Sequence, residues 1–69
     1  MTLQEAQNTC RKGIKITHYY FSVHEFVYCD KDGSLRDEKG YKLGWFEFWN
    51  IRKTNGFEKD WYLYNETEN

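Results

Sequence analysis

Gly13 divides the chain into two kinds of sequence. Before it, Leu3, Ala6 and Cys10 recur at helical spacing; after it, Ile14 and Ile16 alternate with Lys15 and Thr17. A change of apolar period from 3.6 to 2 predicts a helix that hands over directly to a half-buried strand. The helix start is marked by Thr2-Leu3-Gln4-Glu5, a capping box in which the Thr hydroxyl and the Glu carboxylate satisfy orphan amides. Its end is marked by Arg11 and Lys12, which suit the negative end of the helix dipole, and by Gly13. The helix therefore runs from residue 2 or 3 to Lys12.

The strand that opens at Ile14 reads on into His18-Tyr19-Tyr20-Phe21. Ser22-Val23-His24-Glu25 repeats the capping-box spacing, but strand-like residues resume at once in Phe26-Val27-Tyr28-Cys29, so a single turn or tight corner is expected there. Asp30-Lys31-Asp32-Gly33 predicts a hairpin turn with Gly33 at the left-handed position, followed by a strand from Ser34 to Asp37. Glu38-Lys39-Gly40 marks another turn, and Tyr41 and Leu43 a third short strand. Trp45, Phe48, Trp49 and Arg52 then fall at i, i+3, i+4 and i+7, one face of a short helix over 45–53 that Thr54-Asn55-Gly56 ends. Asp60-Trp61-Tyr62-Leu63-Tyr64 closes as a strand, with Trp61 and Leu63 on one face and Tyr62 and Tyr64 on the other.

This order predicts one α+β domain over residues 1–65, with 66–69 a polar, frayed tail. An N-terminal helix packs on a small twisted antiparallel sheet, Sm- or SH3-like, and a short second helix precedes the last strand. Sheet edges that pair between subunits would both protect themselves and enlarge the core, so a homo-oligomer is expected.

At 69 residues such a domain buries only about 60% of its unfolded surface and needs an extra source of stability. Three Trp, six Tyr and five Phe supply it, since each ring can bury roughly 150–250 Å². Rings beyond what the core holds imply a ligand pocket or an interface.

Ten basic and eleven acidic residues leave a net charge of −1, which gives no electrostatic footprint for a nucleic-acid polymer. No apolar stretch is long enough to cross a bilayer, and no lipidation signal is present, so no membrane partner is expected. Cys10 and Cys29 follow no signal peptide and read as reduced thiols of a cytoplasmic protein, Cys10 as a small buried hydrophobe.

Catalytic constellations are missing from the pattern. His18, His24, Cys10 and Cys29 lack the short paired spacing of a metal site, a Cys–His nucleophile has no supporting signature, and most carboxylates fall in turns where solvated acids are ordinary. The glycines are dispersed singly, unlike a phosphate-binding loop. The chain is therefore read as a non-enzyme without metal or cofactor.

The stripe Trp45, Phe48, Trp49 reads first as core, and Arg52 as a side chain whose stem covers it. The alternative for Arg52 is stacking on, and pairing with, a phosphorylated planar ligand. In His18-Tyr19-Tyr20-Phe21 successive side chains point to opposite faces and cannot all enter one core. The exposed rings suit either base stacking with hydrogen bonds to ribose and phosphate, or hot spots of a protein interface.

Taken together, Thr2-Leu3-Gln4-Glu5-Ala6, Gly13-Ile14-Lys15-Ile16-Thr17-His18, the Asp30-to-Gly33 turn and Asp60-Trp61-Tyr62-Leu63 resemble the small bacteriophage proteins of the Thoeris anti-defence family with the compact Sm-like fold. The likeness spans most of the chain. It implies a phage-type accessory protein of the host cytoplasm that oligomerises and sequesters a cyclic nucleotide signal without cleaving it. On that reading Tyr19, Tyr20, Trp45 and Trp61 stack on the ligand, and His18 and Arg52 meet its phosphates. His18 stands where the family tends to show Arg, and the helix from Trp45 to Lys53 is additional. The alternative partner is a host defence or transcription protein on which the same aromatics dock.

Overall fold

In the computed structural model, which describes residues 1–65, the first helix, α1, spans Leu3–Arg11. Its capping box is formed: Thr2 Oγ1 accepts from the Glu5 amide at 3.2 Å, and Glu5 Oε1 accepts from the Thr2 amide at 2.8 Å. Gly13, at φ +85°, reverses the chain, and its amide donates to the Cys10 carbonyl. The expected tail at 66–69 lies outside the described residues.

Five short strands follow: β1 (Ile16–His18), β2 (Val27–Cys29), β3 (Leu35–Asp37), β4 (Lys42–Leu43) and β5 (Trp61–Leu63), with the second helix, α2 (Trp45–Asn50), before β5. They form one antiparallel sheet in the order β4-β3-β2-β1-β5. The architecture is thus the expected α+β domain: an N-terminal helix, a five-stranded antiparallel sheet and a short second helix.

Both hairpins use one local device. Asp30 Oδ1 accepts from the amides of Asp32 and Ser34, and Asp37 Oδ1 from those of Lys39 and Tyr41; Gly33 and Gly40 each take φ +84°. An aspartate that bonds its own turn, with glycine in the left-handed region, fixes such corners without help from the core.

One face of the sheet is the core. Ile16, His18, Val27, Cys29, Leu35 and Trp61 are buried on it beneath Ala6 and Cys10 of α1 and Trp49 of α2. The opposite face, with Thr17, Tyr28, Arg36 and Tyr62, carries no helix among the described residues. At the β5 edge the Met1 amino group donates to the Trp61 carbonyl at 2.6 Å, and the Trp61 amide donates back to the Met1 carbonyl at 3.2 Å. This occupies polar groups that an edge strand otherwise exposes. No helix among the described residues is long and apolar enough to cross a membrane.

Two elements end three residues before the point that the sequence pattern predicts. The strand expected to run from Ile14 into Phe21 ends at His18, and Tyr19 and Tyr20 lie in a turn that the Phe21 amide closes on the His18 carbonyl. The cause is His18 itself, whose Nδ1 accepts from the Tyr20 amide at 2.9 Å and draws the backbone out of the ladder. The helix expected to reach Lys53 stops at Asn50, with Ile51 as its cap. Leu63 shares the Trp61 face of β5 but stands largely exposed at the sheet edge.

Candidate ligand-binding site

The six residues expected to form a site are linked, though largely by packing. Ring centroids connect Trp45 to Trp49 at 5.6 Å, Trp49 to Trp61 at 5.1 Å, Trp61 to His18 at 4.7 Å, His18 to Tyr20 at 5.0 Å and Tyr20 to Tyr19 at 5.9 Å. His18 and Trp61 are interior members of that chain. His18 Nε2 lies 2.8 Å from the Lys59 carbonyl and 3.2 Å from that of Gly56, and Nδ1 accepts from Tyr20. These partners assign a neutral ring with its proton on Nε2. Trp61 donates Nε1–H to the Phe57 carbonyl at 2.8 Å. Neither side chain presents a polar atom to a ligand in this arrangement; Tyr19 and Tyr20 are exposed, and Trp45 is half-buried.

Arg52 lies just beyond the end of α2, in a bowl of phenyl rings. Its guanidinium carbon is 4.0 Å from the Phe48 centroid, 5.5 Å from Phe57 and 5.9 Å from Phe21, and Nη1 donates to the Phe48 carbonyl at 2.9 Å. Burial lowers its pKa from the ordinary arginine value, and Glu25 acts in the opposite sense. The stem covers the aromatic stripe, as the first reading of Arg52 has it, and the charged head lies on the same phenyl rings rather than being presented to solvent alone. Arg52 Nε and Trp49 Nε1 are buried without a hydrogen-bond partner among the described residues.

A concave surface lies elsewhere. A groove of about 680 Å³ opens where the end of α1 meets the β2–β3 hairpin, lined by Arg11, Lys12, Lys15, Tyr28, Asp30 and Lys31 among others. Sequence reasoning missed it. Four basic residues from three separate segments line it, whereas a whole-chain charge near zero averages them away. The available signal was Arg11-Lys12-Gly13-Ile14-Lys15, a basic run placed by the Gly13 reversal beside the hairpin that carries Lys31.

Asp30, the one acid among the described residues of the groove lining, has other work. Arg36 Nε holds Asp30 Oδ2 at 2.6 Å, Oδ1 accepts two turn amides, and these bonds keep the carboxyl below its ordinary pKa. Its charge is thus directed toward Arg36. Tyr28 offers a ring, and Lys15 Nζ sits 4.8 Å from the Phe26 centroid and 5.8 Å from that of Tyr28. Arg11 stacks on Trp45 at 4.4 Å, which ties the groove to one of the six expected residues. Such a site can hold a phosphoryl group by charge and a planar group by stacking.

Among the described residues no three His, Cys, Asp or Glu side chains converge as metal ligands. Compared with known protein families, curated proteins and solved structures, the chain matches none of them.

Proposed function

We propose that the protein acts by occupancy: it holds a phosphorylated, base-bearing small molecule, most concretely a cyclic nucleotide, and does not cleave it. In the setting implied by the sequence resemblance, this is a phage-type accessory protein that withholds an immune signal in the host cytoplasm, as a homo-oligomer. The observation that supports the reading is the groove, whose lining includes Arg11, Lys12, Lys15, Lys31 and Tyr28, while its one acid among the described residues, Asp30, is engaged by Arg36. Its volume falls within the roughly 300–1,000 Å³ usual for small-molecule sites.

Calorimetry with a panel of cyclic di- and trinucleotides and cyclic ADP-riboses tests this. The expected result is heat of binding and intact ligand recovered by chromatography after denaturation. Absence of heat across the panel removes the reading, and a cleaved ligand replaces it with an enzyme.

A second reading, an inhibitor that docks on a host defence or transcription protein, draws on Phe46 and Ile51, each 73% exposed beside the α2 surface. Truncating them leaves ligand heat unchanged but abolishes stoichiometric capture of a host protein if docking is the activity.

A further inference from the structure

The face of the sheet opposite α1 is arranged in register. Tyr28 pairs with Arg36, and Arg36 with Lys42. Continuing the β1 pairings by one residue sets Lys15 beside Tyr28 on one side and Tyr64 on the other; the Tyr64 amide donates to the Lys15 carbonyl at 2.9 Å. Side chains directly opposite one another share a face, so a single row crosses all five strands: Tyr64, Lys15, Tyr28, Arg36, Lys42. At about 4.8 Å per strand the row is roughly 19 Å long.

Rings also flank it. Phe26 stacks 4.5 Å from Tyr64 and 6.0 Å from Tyr28, and Tyr62, half exposed, continues the same face of β5. The row therefore interleaves aromatic rings with basic side chains from Tyr64 to Arg36 and ends on Lys42, and through Lys15 and Tyr28 it runs into the basic groove. Asp30 offsets the Arg36 charge and holds that guanidinium in place, with Nη1 on the Gly40 carbonyl, so Arg36 enters the row as a fixed flat group and Lys15 and Lys42 as its cationic heads.

We propose that this face, which carries no helix among the described residues, binds a short single-stranded oligonucleotide, whose bases stack on Tyr28, Tyr62 and Tyr64 and whose phosphates follow Lys15 and Lys42. The sign of the charge selects a polyanion, and the interleaved rings select unpaired bases, because a duplex keeps its base faces stacked inside. A net charge of −1 does not oppose this: sign is set locally, and here the cations stand together on one face.

The test is fluorescence anisotropy with a labelled oligothymidylate of roughly 12 nucleotides and a duplex of equal length, at about 50 mM salt and upward. Preferential binding of the single strand is expected, with a log–log salt slope of about −1.4, as two phosphate contacts give. Lys42→Glu and Tyr62→Leu alter exposed positions outside the groove. Each is expected to weaken the oligonucleotide by roughly tenfold, the scale of one stacked base or one ionic contact, while cyclic-nucleotide heat is unchanged. No anisotropy change, equal affinity for the duplex, or full affinity in both variants, with their thermal melts intact, overturns the proposal and leaves the groove reading standing.

Discussion

His18 and Trp61 face each other across β1 and β5, edge to face with ring centroids 4.7 Å apart, and both donate to carbonyls of the segment that leads into β5. The pair thus fastens residues 57–59 onto the sheet. Trp61→Ala removes one of the two fully buried indoles, the other being Trp49, and is expected to cost about 3–5 kcal/mol. In a domain whose whole stability is of order 5 kcal/mol, urea unfolding should find much of the protein unfolded. Trp61→Phe keeps a ring but orphans the Phe57 carbonyl, at about 1–3 kcal/mol. Tyr19→Ala, on an exposed ring, should stay within about 0.5 kcal/mol of the parent.

Arg52 separates charge from covering. Its head lies on Phe48 and its stem covers the same stripe, so Arg52→Met retains the covering and loses the cation. Thermal melts should rank parent above Arg52→Met above Arg52→Ala, with about 2 kcal/mol between the ends. Equal melts for Met and Ala would mean that the stem contributes nothing.

What could be read from the sequence was what neighbours in sequence decide. The Thr2–Glu5 box, the Gly13 stop and the turns at Gly33 and Gly40 each close on residues a few positions away, and they appear where the pattern puts them. The end of β1 was not legible, because carbonyls of Gly56 and Lys59, some forty residues on, help set the His18 ring whose Nδ1 takes the Tyr20 amide. The same ring was read as a phosphate contact because its inward position depends on that distant loop. The groove was hidden for a similar reason: Lys31 joins Arg11 and Lys12 only through strand pairing and the packing of α1 on the sheet.

Acid should weaken the fold. Hydrogen bonds from the Thr2 amide and hydroxyl hold Glu5 below its ordinary pKa, and Arg36 with the Ser34 amide does the same for Asp30. A carboxylate depressed in the folded state contributes stability that is complete above its unfolded pKa of about 4 and is lost as pH falls through the folded value. Melting temperature should therefore hold near neutrality and drop on acidification below about pH 4. Asp30→Asn should lower the neutral plateau and shallow the acid slope in circular-dichroism melts.

Cys10 and Cys29 bring their sulfurs within 3.8 Å in the core, and burial, reinforced by the neighbouring thiol, raises the Cys10 pKa. A thiol whose folded pKa is raised leaves stability intact below the unfolded value of about 8.5 and erodes it as pH climbs beyond. A chromogenic thiol reagent at neutral pH should find neither cysteine in the native protein and both in denaturant. Rapid native labelling would contradict the packing of α1 on β2.

Charge reversal at the groove rim decides where the small ligand sits. Lys12 and Lys31 are exposed and belong to different elements, so Lys12→Glu with Lys31→Glu should leave the melt within about 0.5 kcal/mol. The same pair should weaken cyclic-nucleotide binding by roughly tenfold or more per lost ionic contact. Tyr19→Ala with Tyr20→Ala supplies the contrast, since those rings lie on the far aromatic chain and not in the groove lining. Calorimetry that finds affinity lost in the tyrosine variant and kept in the lysine variant would return the site to the aromatic turn. The opposite result fixes it between α1 and the β2–β3 hairpin, where the local positive charge is concentrated.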